Sequence, residues 1–197
     1  LARFADMFIV NGESLQEYFS GFLDNVHLIP NKVEPIFWKE RMRGRDKPDT
    51  RIAIISRYDP YKNIEFALET LGTRNSLTIN VYGAGNPDYK ESLLAVISRL
   101  SADITLHDLT SIERIYEEND LIVHPSLAEG TPNVVIEAMI SKKPILASNI
   151  REIRDTGINE ACLFDPRDTS SLNDCLNQYL SQALGERHDI LVKNAAI

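Results

Sequence analysis

Apolar residues along this chain fall in short compact blocks separated by longer amphipathic stretches. From Arg51 onward the blocks predict strands at 52–56, 77–82, 103–106, 121–124, 144–147 and 161–164. Between them, apolar positions recurring every three or four residues predict helices at 63–71, 88–100, 111–118, 132–142 and 168–183. This alternation argues for an α/β fold, a parallel sheet covered by helices on both faces. Upstream, Ala5 to Val10 reads as a strand, Ser14 to Phe22 as a short amphipathic helix and Val26 to Pro30 as a second short strand. Residues 38–50 form a charged, turn-rich connection with Lys39, Arg41, Arg43, Arg45 and Lys47. The interspersed Glu40, Asp46 and Asp49 make it a solvated linker rather than an anion site. No internal repeat or low-complexity tract is evident.

Ligands of parallel sheets gather at the carboxyl ends of the strands, so the loops that follow each strand carry the information. The most telling one joins the strand at 121–124 to the helix at 132–142. Gly130 permits a tight turn, Thr131 can cap the helix, and Pro132 sits where a missing N–H costs nothing. A helix start offers unpaired N–H groups and partial positive charge, a seat for phosphate. Glu129 lies just ahead of that seat. Glu137 lies in the second turn among Val135, Ile136, Ala138 and Met139, where a carboxylate is costly without partners. Ligand hydroxyls are suitable partners, and the whole has the shape of a site for a phosphorylated, polyhydroxylated ligand. Two plainer readings stand beside it: Glu129 as a carboxylate favouring the helix dipole, and Glu137 as a core acid paired with an Arg or Lys. Spacing does not decide, because Glu152 and Glu160 are also eight positions apart with no capped apolar helix between them.

After the strand at 52–56, Arg57 and Lys62 flank a turn at Pro60, so that both cations could reach one diphosphate. After the strand at 77–82 come Gly83 and Gly85, which allow close approach of a ligand to the backbone. A dinucleotide fingerprint would need Gly or Ala at position 88, where Asp88 stands, and Pro87 interrupts. His27, His107, His124 and His188 match no metal-ligand spacing, and His124 at a strand end reads as a packed histidine. Ser126 has neither a Gly-x-Ser-x-Gly frame nor an evident base, which leaves little case for a serine hydrolase.

Composition narrows the class. The 197 residues suffice for one sizeable core, and 43% hydrophobic with 25% charged residues is ordinary for a soluble globular protein. The net charge of -8 disfavours a general nucleic-acid binder. Cys162 and Cys175 are too few for a disulfide framework, and no apolar run approaches the length of a bilayer span. A start at Leu1 within a strand-like stretch suggests a fragment of a longer polypeptide.

Taken in order, these loops resemble the donor-binding half of family 4 retaining glycosyltransferases, which have the two-domain GT-B fold with Rossmann-like domains. Ala5 to Ser14 looks like the last strand of the acceptor-side domain, and Ile29 to Glu34 like the crossing between domains. The resemblance divides the chain into 1–37 (end of the acceptor side and crossing), 38–50 (linker), 51–183 (donor-binding domain) and 184–197 (helix or tail). Pro125 through Met139 matches the family's most specific motif, two glutamates separated by seven residues, and Leu163 to Pro166 matches the strand end before the closing helices. The resemblance implies transfer of a hexose-like sugar from a UDP- or GDP-linked donor, in polysaccharide or glycoconjugate biosynthesis. Arg57 and Lys62 would hold the diphosphate, Gly83 and Gly85 would face the donor, and Leu109 would lie at the base. Gly130, Thr131, Asn133 and Val134 would meet sugar or phosphate, and Glu137 the ribose hydroxyls. Glu129 would act at the reaction centre, by electrostatics and positioning rather than as a covalent nucleophile. No cofactor and no metal would be required. An acceptor glycan, lipid or small molecule would bind mainly to an N-terminal domain. The location would be cytoplasmic, with peripheral membrane attachment left open through that domain. Ser56, Asn63, Lys32, Asp108 and Lys142 stand where relatives usually have Gly, a source of strain wherever positive φ is needed. Two alternatives remain: a non-catalytic nucleotide-sugar-binding module, or another enzyme of this fold such as a sugar-nucleotide epimerase or phosphorylase.

Overall fold

The computed structural model describes residues 7–36 and 50–181. Residues 38–49 of the linker expected at 38–50, the first residues of the strand expected from Ala5, and the tail from 184 lie outside the described residues. The elements are β1 (Phe8–Val10), α1 (Glu13–Ser20), β2 (Val26–Leu28), β3 (Thr50–Ile55), α2 (Ile64–Leu71), β4 (Leu77–Tyr82), α3 (Pro87–Ile97) and β5 (Asp103–His107). They continue with α4 (Ile112–Glu118), β6 (Leu121–His124), α5 (Asn133–Ile140), β7 (Ile145–Ser148), α6 (Arg151–Arg154), β8 (Leu163–Phe164) and α7 (Thr169–Ser181).

Strands β3 to β8 form one parallel sheet in the order β5-β4-β3-β6-β7-β8. Side chains alternate across it. Ile52 and Ile54 of β3 join Ile79, Val81 and Val123 in a core under α2, α3 and α7. Ala53 and Ile55 join Ile122, Ile145 and Ala147 in a second core under α4, α5 and α6. On the sheet, α2 buries the stripe that its spacing announces. In α2 this is Ile64, Ala67, Leu68 and Leu71, at i, i+3, i+4 and i+7. The start of α3 is fixed by Asn86, whose side chain accepts from the N–H groups of Asp88 and Tyr89, with Pro87 at the first turn. Buried Lys143 donates to the carbonyls of Tyr116 and Asn119 and so closes the end of α4.

Three expectations need correction, and one helix, α6, was not expected. Thr50 belongs to β3, not to the linker, and the strand starts two residues before 52, because Thr50 and Arg51 pair with Leu77 and Thr78. The strand expected at 161–164 shrinks to two residues, since Glu160–Cys162 coil into a 3-10 turn capped by the Asn159 side chain. The four-residue α6 is too short to have a detectable period. Thr131 does not cap α5. Pro132 occupies the cap position without any side-chain cap, and the Thr131 hydroxyl donates to the Asn11 carbonyl.

The N-terminal residues form a separate two-stranded parallel pair, β1 with β2, crossed by α1. Phe8 packs on Phe19 with ring centroids 5.1 Å apart. The following segment runs back to the end of α5, where the Ile36 N–H donates to the Ser141 hydroxyl at 2.8 Å.

Candidate functional site

Strand order runs outward from β3 in one direction and from β6 in the other, so the chain reverses its winding between them. Loops leaving these two strands diverge to opposite faces and open a crevice at their carboxyl ends. The β3 loop enters a 3-10 turn at Pro60–Lys62, where the Asp59 side chain accepts from the Tyr61 N–H, and ends at Asn63 with φ 55°. The Asn63 side chain donates to the Pro166 carbonyl. The Leu127 N–H donates to the Tyr61 carbonyl at 2.8 Å, which ties this turn to the β6 loop.

Across that tie, Lys62 Nζ lies 2.7 Å from Glu129 Oε1. His124, the last residue of β6, lies 2.9 Å from the same oxygen through Nε2. The Glu129 side chain is only 8% exposed and that of His124 5%, so this contact is largely shielded from water. Burial alone would push the Glu129 carboxyl up. The hydrogen bonds and charge of His124, with Lys62 and nearby Ser126, outweigh it and hold the group down at about 2. An ionised carboxylate only accepts, so His124 Nε2 must carry a proton. Glu129 is therefore neither a simple dipole-favoured carboxylate nor an isolated acid. It is a buried anion clamped by two donors.

Glu137 is the opposite case. It is half-buried, its side chain has no ion pair or hydrogen bond among the described residues, and burial raises its carboxyl above the ordinary value. The core acid paired with an Arg or Lys is not what forms. At the start of α5, the Asn133 N–H is taken by the Thr131 carbonyl at 2.9 Å and its side chain accepts from Asn31 at 3.1 Å. The Asn133 backbone N–H is thus not free to meet a ligand. Among the described residues, the N–H groups of Gly130, Thr131 and Val134 have no backbone acceptor. Gly130 itself is pressed against Gly12, where an added Cβ would lie 2.3 Å from the Gly130 carbonyl oxygen. The N-terminal segment therefore sits directly on the glutamate loop.

Past the sheet, the Arg57 and Gly83 loops stay zipped together. Tyr58 N–H donates to the Ala84 carbonyl and Asn86 N–H to the Tyr58 carbonyl. A Cβ on Gly83 would lie 1.9 Å from the Ser56 carbonyl oxygen, so only Gly fits there, and Gly85 takes φ 151°. Arg57 is exposed with no partner among the described residues, and Leu109 is exposed beyond β5. Of the five positions where relatives usually carry Gly, only Asn63 and Lys142 have positive φ among the described residues. The sequence places Lys62 and Glu129 in one site without announcing their contact, and it reads His124 only as a packed histidine, not as a partner of Glu129. The usable signal for His124 was its position, a titratable side chain at the end of the strand leading into the glutamate loop.

A model of the family described as group 1 glycosyl transferases matches residues 49–182. The poly(ribitol-phosphate) α-N-acetylglucosaminyltransferase of Staphylococcus aureus is 30% identical over 102 residues, 49% of this chain and 21% of that protein. Protein CapJ of Staphylococcus aureus is 33% identical over 73 residues, 37% of this chain and 18% of that protein. The chain thus spans about a fifth of the length of these curated relatives. Among solved structures, Anabaena HepE in complex with UDP and glucose superposes with TM-score 0.81 at 20% identity, over 98% of this chain and 58% of that one. Sucrose-phosphate synthase from Thermosynechococcus elongatus superposes with TM-score 0.76 at 20% identity, over 93% of this chain and 51% of that one. These likenesses establish the fold, that of the GT-B glycosyltransferases. With the family match spanning most of its length, the chain belongs to the group 1 glycosyl transferases.

Proposed function

We propose that this chain is the donor-binding half of a retaining glycosyltransferase, holding a UDP- or GDP-linked sugar at the crevice between β3 and β6. One observation carries the reading: the clamped Lys62–Glu129 pair sits at the winding reversal, beside the free N–H groups that lead into α5. Arg57, Lys62 and the helix start supply positive charge where a leaving diphosphate gains negative charge. Glu137, half-buried and without a partner among the described residues, offers acceptors to ribose hydroxyls. Glu129 presents a fixed anion to the sugar. The structure of Anabaena HepE in complex with UDP and glucose supports a donor of this class.

Charge at this site comes from side chains and backbone, so no metal or other cofactor is invoked. The acceptor, whether glycan, lipid or small molecule, is bound mainly by a second domain, and the N-terminal pair β1–β2 is the end of that domain. Among the described residues no helix is long and apolar enough to cross a membrane. A cytoplasmic location, with any membrane contact made through the second domain, is part of the same proposal.

Thermal melts and calorimetry with UDP and GDP test this. The chain binds one nucleoside diphosphate, the melting temperature rises with its concentration, and EDTA leaves the shift unchanged. The chain alone transfers no sugar. Binding lost on chelation, or transfer by this chain alone, overturns the assignment.

A further inference from the structure

We propose that His124 is the positioning residue for Glu129: its buried ring holds Oε1 and aims the carboxylate at the donor sugar. This deepens the donor-site reading and rests on it.

The two donors on Glu129 Oε1 differ in mobility. Lys62 is a point charge on a flexible stem, carried by a short 3-10 turn, and is also the group expected to meet the diphosphate. His124 belongs to the sheet. It pairs with Ala147 of β7, its carbonyl accepts from the Ser148 hydroxyl, and it is 4% exposed. A diphosphate that draws Lys62 away would leave Glu129 free to swing, with its charge uncompensated in a buried place, unless a second donor stayed fixed. His124 is that donor. Because both donors take Oε1, the second carboxylate oxygen remains for a ligand hydroxyl. The imidazole touches Glu129 and not the reacting atoms, so its role is positioning, not catalysis.

The arrangement also dictates a tautomer. His124 must be protonated at Nε2, a state read directly from ring-nitrogen shifts in long-range 15N–1H spectra of the chain near neutral pH. A ring protonated only at Nδ1 overturns the proposal without any ligand being needed. The second measurement compares His124→Phe, which keeps a ring but no donor, with His124→Gln, which restores an N–H donor. Calorimetry gives the affinity of each variant for UDP against UDP-glucose and UDP-N-acetylglucosamine, and for GDP against GDP-mannose. His124→Phe lowers nucleotide-sugar affinity roughly tenfold relative to the matching nucleotide, whose own affinity stays within about twofold of the parent's. His124→Gln recovers most of the loss. A merely structural role would lower nucleotide and nucleotide-sugar binding together, and that result, or an unchanged ratio in His124→Phe, refutes the positioning role. Should His124→Phe fail to fold, the tautomer decides. A parent chain that binds none of these nucleotides overturns the donor-site reading and this inference with it. A parent that binds them while the ratio ignores position 124 overturns the inference alone.

Discussion

Lys62 and Glu129, 67 residues apart in the chain, meet at 2.7 Å where the sheet reverses its winding. The contact joins a residue assigned to phosphate with one assigned to sugar. A ligand that recruits either therefore acts on both, so the two ends of the proposed donor site would be coupled through one ion pair. Removing one member of such a pair costs more than removing an isolated surface charge, because the other is left buried.

Arg57 and Lys62 should separate in their effects on stability. Either Arg57→Ala or Lys62→Ala weakens nucleoside-diphosphate binding by about 1.5–3 kcal/mol, the range for hydrogen bonds to charged groups. Only Lys62→Ala also lowers the melting temperature, since Arg57 is exposed with no partner among the described residues. Calorimetry and melts on both variants check this, and equal losses of stability would contradict the structure.

Glu129 gives stability a definite pH dependence. Its folded carboxyl, at about 2, lies below the ordinary 4.5. The contribution is therefore fully present above about pH 4.5 and disappears as pH falls through about 2. A shift of that size corresponds to stabilisation on the order of 3 kcal/mol. Urea denaturation across this window should show a steep acid loss in the parent and a shallower one in Glu129→Gln. The same variant releases Lys62 to the diphosphate, so free-nucleotide affinity does not fall, while transfer in the complete enzyme is depressed.

Glu137 has the reverse sign. Burial raises its folded carboxyl, so its neutral form favours folding below the unfolded pKa and that benefit is lost as pH rises through the folded value. Glu137→Gln is thus expected to raise the melting temperature at neutral pH. It also costs nucleotide affinity, because ribose loses an anionic acceptor. Parallel melts and titrations read both, and a variant that is stabilised with unchanged affinity would remove Glu137 from the site.

Lys142 and Asn63 should respond differently to substitution despite sharing positive φ. Lys142, exposed at φ 57°, follows α5, and the next N–H, that of Lys143, returns to the Ala138 carbonyl in a helix-terminating loop. Lys142→Gly removes the left-handed penalty and stabilises by about 1 kcal/mol. Asn63→Ala keeps the strained φ and loses the bond to Pro166, so it destabilises. Urea midpoints of the two variants should move in opposite directions.

Gly83→Ala tests the zipped loops. A Cβ 1.9 Å from the Ser56 carbonyl must push the two loops apart, at a cost of about 1–3 kcal/mol in stability. Nucleotide affinity is expected to fall with it, because Arg57 lies in the displaced loop.

The sheet and its helices were legible in the sequence because their signals are local. Val123 and Ile54 announce buried strands, and the spacing of Ile64, Ala67, Leu68 and Leu71 announces a helix, whatever surrounds them. The candidacy of Arg57, Lys62, Glu129 and Glu137 was legible too, since each stands in a loop or helix start that follows a strand. Their partners were not. Lys62, His124 and Glu129 converge only because β3 and β6 lie side by side at the reversal, a pairing between distant segments that no local period encodes. Thr131 likewise has the local signature of a cap, yet its hydroxyl goes to Asn11 because Gly12 lets the N-terminal segment press against Gly130. The sequence by itself determined most of the strands and helices and which loops follow the strands. Only the tertiary structure decided that Glu129 is a clamped anion and that the Glu137 side chain has no partner among the described residues, because a buried carboxylate takes its character from donors brought by other parts of the chain.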